Sequence, residues 1–142
     1  MTQYLVDTNV LSEAPKHRPN PGLITWLQNT DQANIYTSCL VLGEIQKGII
    51  LQMHGAKRAQ SEAFLNEVKN TFIGRILNLD TETCLLWGEL MAHGRRSGKT
   101  SPIVDSLLAA QCIRNKLTLV TRNTKDFEQF DGLDVFCPWS NE

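Results

Sequence analysis

Apolar positions along the chain form five short runs separated by longer amphipathic stretches. Short, largely apolar runs bounded by polar or turn-forming residues are typical of buried strands. The five predicted strands are Gln3–Val6, Ile35–Thr37, Arg75–Leu79, Thr118–Val120 and Asp134–Phe136. Strands that alternate with helices predict an α/β fold, with a mostly parallel central sheet flanked by helices on both faces.

Helical periodicity and capping residues predict the segments between these strands. Asp7 begins a polar turn suited to a helix N-cap, Ser38 and Asp80 are further N-caps, and Ser101 with Pro102 matches an N-cap and first helical residue. The predicted helices are one ending near Gln28, Cys39 to about Met53, Ala56 to about Phe72, Asp80 to about Ser97, Ser101 to about Asn115, and a turn at Asn123–Glu128.

Length and composition limit the classes of protein that fit. The chain has 142 residues, of which 42% are hydrophobic, so we expect one domain spanning residues 1–142. A net charge of -1 provides no overall basic field, which argues against a protein that coats nucleic acid without sequence preference. No apolar run approaches the roughly 20 residues needed to span a bilayer, and the N-terminus lacks a signal-peptide pattern, so we expect a cytoplasmic protein.

The cysteines do not indicate a metal or redox site. The four residues are widely spaced and form no C-x-x-C pair: Cys39, Cys84, Cys112 and Cys137. We therefore expect reduced thiols buried in the core.

Four carboxylates stand at positions that favour a shared site. Asp7 and Asp126 follow predicted strands, whereas Glu44 and Asp105 lie on the apolar faces of predicted helices. Ligand sites in parallel α/β sheets form beyond the carboxyl ends of the strands, where such positions meet. Each acid also has a purely structural interpretation. Asp7 could cap a turn or a helix, and Glu44 could lie at the edge of the apolar face of its helix and reach solvent. Asp105 could interact with the helix dipole, and Asp126 could lie in a solvated loop.

Several carboxylates in one site repel one another unless a cation neutralises them. An oxygen-only set of ligands favours Mg²⁺ or Mn²⁺, and such ions activate water for attack on a phosphodiester. The chemistry implied is phosphoryl transfer to water.

The same residues resemble the motifs of the PIN-domain ribonucleases, specifically the VapC and FitB toxins of bacterial toxin-antitoxin pairs. The segment Tyr4–Glu13 is similar to the family's opening, Gly43–Ile45 to its second motif and Ile103–Ala110 to its third. Gly74–Leu77 resembles the segment before the central strand of FitB-like members. The segment Thr121–Phe127 resembles the fourth motif. Some relatives have their acid at the position of Asn123 and others at the position of Asp126, and in this chain Asp126 is the acid.

The resemblance implies a Mg²⁺-dependent endoribonuclease that dimerises and is silenced by an antitoxin whose C-terminal segment enters the active-site groove. It makes Asp7, Glu44, Asp105 and Asp126 the metal-binding acids. Transfer RNA is a frequent target in the family. The supporting polar residues would be Thr8, Asn9, Thr121 and Asn123.

The segment Gly94–Thr100 has the composition of a phosphate-binding P-loop, but it is one residue short and follows a helix. We interpret it as a basic loop near Asp105 that contacts RNA phosphates or antitoxin acids. A solvated helix end is the alternative. The loop residues predicted to bind are Arg95, Arg96 and Lys99.

Two other classes of function stay open on the sequence. One is a catalytically silent module that keeps the fold and binds nucleic acid or a partner, which the variable position of the fourth acid in the family allows. The other is an aspartyl-phosphate enzyme using Asp7 as the nucleophile, although the segment Asp7–Asn9 lacks the second Asp of a D-x-D phosphatase.

Overall fold

The computed structural model describes residues 1–96, 98 and 101–141. Its strands are β1 (Tyr4–Val6), β2 (Ile35–Ser38), β3 (Ile76–Leu77), β4 (Thr118–Val120) and β5 (Val135–Phe136). Over the described residues the α-helices are α1 (Thr8–Glu13), α2 (Pro21–Asn29), α3 (Cys39–Leu51), α4 (Ala56–Thr71), α5 (Thr81–Arg96) and α6 (Ile103–Asn115). The predicted alternation of strands and helices is confirmed.

The five strands form one sheet in the order β3-β2-β1-β4-β5, and every pairing in it is parallel. β1 lies at the centre, where Tyr4 pairs with Ile35 on one side and with Thr118 on the other. The two edge strands, β3 and β5, are only two residues long. The polar residues that follow β1 and β4 therefore lie side by side at the carboxyl edge of the sheet.

Alternate residues of the central strands face opposite sides of the sheet, as the period of two requires. Leu5 and Leu119 pack with buried residues of α3 and α6, whereas Val6 and Val120 pack with buried residues of α1, α2 and α4. The prediction of helices on both faces is confirmed. No helix in the described part of the chain is long and apolar enough to cross a bilayer.

Three of the predicted caps are present, and the fourth is wrong. Asp7, Ser38 and Asp80 each accept a hydrogen bond from a backbone N–H in the first turn of the following helix. Ser101 does not cap α6, because Pro102 occupies the N-cap position with an extended ψ of 143°. That geometry leaves the Ser101 hydroxyl one residue too early, and it donates to the Pro102 carbonyl instead.

The expectation of buried thiols holds fully only for Cys112. Cys84 is exposed, because α5 turns the neighbouring Thr83 into the interior. The remaining two thiols, those of Cys39 and Cys137, are partly buried.

The C-terminal segment is fastened to the start of α2 by a contact that we call the C-terminal clasp, formed by Asn20 and Ser140. Asn20 Nδ2 donates to the Ser140 carbonyl at 3.0 Å, and Ser140 N donates back to Asn20 Oδ1 at 2.9 Å. The backbone approaches so closely there that a Cβ on Gly22 would lie 2.5 Å from the Pro138 carbonyl oxygen. The clasp fixes the end of the chain beside α2.

Candidate active site

Asp7 stands where β1 ends and α1 begins. Its N–H donates to the Val120 carbonyl at 3.3 Å, which ties it to β4, and its Oδ1 accepts from the N–H groups of Asn9 and Val10 at 3.1 and 3.4 Å. The side chain is 7% exposed, and burial raises the pKa of Asp7 to about 6 despite these hydrogen bonds. The cap therefore holds a carboxylate in a desolvated position, so the structural and chemical interpretations of Asp7 are compatible.

A polar network joins Asp7 to the end of β4. Asn9 Nδ2 donates to Asp7 Oδ2 at 3.0 Å and to Thr121 Oγ1 at 3.3 Å. The fully buried Thr121 hydroxyl also accepts from the Asn123 N–H at 3.1 Å. The structure thus brings three of the predicted supporting residues into contact around Asp7 and fixes the orientation of its carboxylate.

Glu44 lies in the second turn of α3 and is exposed. The interpretation that places Glu44 at the edge of the apolar face, reaching solvent, is therefore correct. Val41 and Ile45 of the same helix are buried. Thr8 Oγ1 donates to Glu44 Oε1 at 3.1 Å, which links the start of α1 to α3. Both residues line a groove of about 620 Å³ that also includes Lys47. Glu44 therefore reaches the site from the solvent side.

Asp105 and Asp126 complete the acidic group. Asp105 is in the first turn of α6 and half-buried, and its pKa is raised first by burial and then by the negative charges of Asp126 and Glu44. Asp126 is exposed in a 3-10 turn, Thr124–Phe127, that follows β4. The negative charges of two other segments, α3 and the turn after β4, therefore act on Asp105 at this edge of the sheet.

Buried polar contacts fix the position of α6, and hence of Asp105. Gln111 is fully buried, where its Oε1 accepts from Ser38 Oγ at 2.6 Å and its Nε2 donates to the Leu77 carbonyl at 3.4 Å. In the first turn, the Ser106 hydroxyl accepts from Trp87 Nε1 at 2.8 Å. These bonds attach α6 to the ends of β2 and β3 and to α5.

The chemistry of the acids fits a divalent cation, whereas the distances between them in this structure are too long. They offer only oxygen ligands, and the two ion pairs among the described residues, Lys16–Glu13 and Arg58–Glu62, involve none of them. In the same part of the chain, however, no three His, Cys, Asp or Glu side chains are close enough together to hold a metal ion. Glu44 and Asp126 are exposed, so their side chains have room to rotate toward Asp105.

The predicted basic loop is only partly covered by the structure. Arg95 is exposed in the last turn of α5, and neither described ion pair involves it. The Arg96 side chain and Lys99 lie outside the described residues. The binding role assigned to these three residues stays a prediction.

One residue at the site was missed by the sequence reasoning, namely Arg122. Its N–H donates to Asn9 Oδ1 at 3.0 Å, and Asn9 in turn contacts Asp7, so Arg122 starts at the edge of the polar network. Its position directly after Thr121, beyond a predicted strand, was the available signal.

Comparisons with known proteins agree with this architecture. The PIN domain family matches residues 4–133. The toxin FitB of Neisseria gonorrhoeae is 30% identical over 136 residues, which cover 95% of this chain and 97% of that protein. The VapC ribonuclease Y4jK of Sinorhizobium fredii is also 30% identical over 136 residues, with coverages of 95% and 96%. The solved structure of FitAB bound to an IR36 DNA fragment is similar with a TM-score of 0.86 at 29% identity, covering 99% of this chain and 98% of that one.

Proposed function

The chain belongs to the PIN-domain family, and from that premise we propose that it is a Mg²⁺-dependent endoribonuclease acting as the toxin of a type II toxin-antitoxin pair. One relative is named as a VapC ribonuclease and another as the toxin FitB. The observation that carries the proposal is the placement of acids directly after β1, in α3, in α6 and in the turn after β4, where burial, and then the charges of Asp126 and Glu44, raise the pKa of Asp105. Uncompensated carboxylates of this kind favour a divalent cation.

Asp7, Glu44, Asp105 and Asp126 would hold the Mg²⁺, or Mn²⁺ in its place. When bound, such an ion lowers the pKa of water and neutralises the charge that develops on a phosphodiester during hydrolysis. Binding would require the exposed Glu44 and Asp126 side chains to move closer to Asp105.

The other polar residues of the site orient these acids. Asn9 and Thr121 hold the Asp7 carboxylate from the β4 side, while Thr8 restrains Glu44 at the edge of the groove. A ligand held by a second hydrogen bond loses less freedom when it binds a metal, so these neighbours support the site without touching the substrate. Asn123 supports the site through its backbone N–H, which donates a hydrogen bond to the Thr121 hydroxyl.

The proposed partners are an RNA substrate, with transfer RNA the first class to test, and a VapB-like antitoxin that occupies the active-site groove. One relative is the toxin FitB, and a similar solved structure is that of FitAB bound to a DNA fragment. This similarity supports a protein partner for this chain. The groove beside Thr8 and Glu44, about 620 Å³ in volume, has room for a peptide segment. A homodimer, and a larger assembly with the antitoxin, complete the proposal.

The test is incubation of purified, antitoxin-free protein with total cellular RNA in Mg²⁺ or Mn²⁺, followed by mapping of the cut ends. EDTA and Asp7→Asn are the inactive controls. Asp131→Asn is the matched control variant, because it removes the same charge from an exposed position in the loop that leads into β5 and is not one of the four acids.

Discrete cuts that disappear with EDTA and with Asp7→Asn, but persist with Asp131→Asn, are the expected result. Absence of cleavage by folded, metal-loaded protein would instead favour the silent binding module. The wide spacing of the acids is the observation that keeps this second function in view.

A further inference from the structure

Arg122 is attached to the acidic site through its backbone. Its N–H donates to Asn9 Oδ1, and the same Asn9 amide donates to Asp7 Oδ2. The Cα of Arg122 is therefore fixed at the rim of the site by the network that orients Asp7. Its side chain is exposed at that rim.

The Arg122 side chain lies over an aromatic ring supplied by the C-terminal segment. Its guanidinium carbon is 5.9 Å from the centre of the Trp139 indole, which is within cation-π range. Trp139 precedes Ser140, which the C-terminal clasp fastens to Asn20. The clasp thus holds the indole in place beneath the cation.

Structural charge compensation does not account for Arg122. Glu13 is the acid whose pKa it lowers, but the Lys16 ammonium already pairs with Glu13 at 2.8 Å and has the larger effect. Neither of the two ion pairs found among the described residues includes Arg122. Because an indole has no hydrogen-bond acceptor, a guanidinium at cation-π distance from it keeps its N–H donors available for a ligand.

A polyanion that approaches four carboxylates meets repulsion unless cations at the rim offset it. We propose that Arg122 binds a backbone phosphate of the RNA strand at the rim of the site, and that Trp139 is a positioning residue for its guanidinium. This inference rests on the proposed ribonuclease function and adds a substrate contact to it. It also gives the C-terminal segment a role in binding RNA.

The test uses the full chain and a labelled, single-stranded RNA 20-mer of mixed sequence, with binding measured by fluorescence anisotropy in EDTA at several NaCl concentrations. The variants are Arg122→Gln, Arg122→Lys and Trp139→Leu. Arg114→Gln is the matched control, because it makes the same change at an exposed position in the last turn of α6, whereas Asp105 lies in the first turn of that helix. Circular dichroism melts verify that each variant is folded.

We expect Arg122→Gln to weaken binding about threefold to fivefold, as for one exposed charge pair. The slope of log affinity against log salt should become shallower by about 0.7, as for one lost phosphate contact on a single strand. Trp139→Leu should weaken binding less and keep the salt slope, because the charge remains but loses its support. The affinity of Arg122→Lys should lie between those of wild type and Arg122→Gln. In cleavage assays with Mg²⁺, Arg122→Gln should raise KM by a larger factor than it lowers kcat.

Equal affinity and equal salt slope for Arg122→Gln and Arg114→Gln would overturn the proposal, while cleavage by the wild type in Mg²⁺ would leave the ribonuclease function standing. A wild-type protein that neither binds nor cuts the RNA would overturn both. A Trp139→Leu variant with a reduced salt slope would show that the indole does more than position the cation, and would overturn its assigned role.

Discussion

The two ends of α1 each carry a buried acid, in opposite electrostatic surroundings. Asp7 at the N-terminal end is 7% exposed and Glu13 at the C-terminal end is 9% exposed. Burial raises the pKa of Asp7, whereas the hydrogen bond from Lys16 lowers the pKa of Glu13. Glu13 is thus a buried acid paired with a cation inside the fold, whereas Asp7 is a buried acid without one, and the proposed function assigns its cation to a bound metal ion.

The largest expected effect separates these two acids by activity. Asp7→Asn should reduce RNA cleavage by about 100-fold or more, the order of loss seen when charge stabilisation at a reacting centre is removed. Glu13→Gln should leave cleavage within about twofold of wild type, because Glu13 contacts Lys16 and Asn20 and not the acidic group. Initial rates on one RNA substrate in Mg²⁺ measure both.

Asp105→Asn should match Asp7→Asn in this assay. If Glu13→Gln lost as much activity as Asp7→Asn in protein with an unchanged melting curve, the division between the two ends of α1 would be wrong.

The pH dependence of stability should also distinguish the site. Between pH 3.8 and about 6, folded metal-free protein holds a proton on Asp7 that the unfolded chain has released, so the free energy of unfolding falls as pH rises. This contribution amounts to about 3 kcal/mol. Urea denaturation in EDTA at a series of pH values, compared between wild type and Asp7→Asn, isolates it.

Relative to Asp7→Asn, the wild type should lose stability across this pH window. Parallel pH profiles for the two proteins would contradict the raised pKa of Asp7. Saturating Mg²⁺ should diminish the difference, because a bound cation favours the ionised carboxylate.

The C-terminal clasp should show the reverse pattern, with loss of stability and little direct loss of chemistry. Asn20→Ala removes a buried side chain that caps α2 and holds Ser140, and should cost about 2 kcal/mol. Asn66→Ala, on the exposed face of α4, is the control and should be nearly neutral. Urea midpoints at constant m-value provide the measurement, and equal midpoints for the two variants would reject the clasp as a stabilising contact.

The smallest expected effect concerns the bond between Thr8 and Glu44. Thr8→Val keeps the shape but removes the hydroxyl donor, so stability should change by less than about 1 kcal/mol because the bond is exposed. Cleavage should fall about threefold, since Glu44 loses its restraint. Thr25→Val, on the exposed side of α2, is the matched variant and should match wild type in both assays.

Local patterns predicted the framework because strands, helix caps and apolar faces are set by neighbouring residues. Asp7 was recognisable from the apolar run before it, and Asp105 from the apolar positions that follow at helical spacing. The two wrong predictions arose because a neighbouring residue took the predicted position. Pro102 displaced Ser101 from the cap, and Thr83 replaced Cys84 on the inner face of α5.

Contacts between distant segments were beyond such reasoning. The hydrogen bond from Asn9 to Thr121 spans 112 residues, and the clasp between Asn20 and Ser140 spans 120. Neither partner has a pattern that specifies the other, because the pairing depends on strand order and on where the chain ends. The exposure of Glu44 was likewise undecided by periodicity, since it stands at the edge of an apolar stripe.

The central place of β1 in the sheet has a consequence for the order of synthesis. A ribosome makes β1 before the other four strands, yet one of its two neighbours, β4, and the turn that carries Asp126 follow only after β2, β3 and α6. Until then Asp7 lacks both Thr121 and its backbone contact to Val120. The emerging chain therefore carries an incomplete set of acids until β4 and this turn have left the RNA-rich machine that translates it.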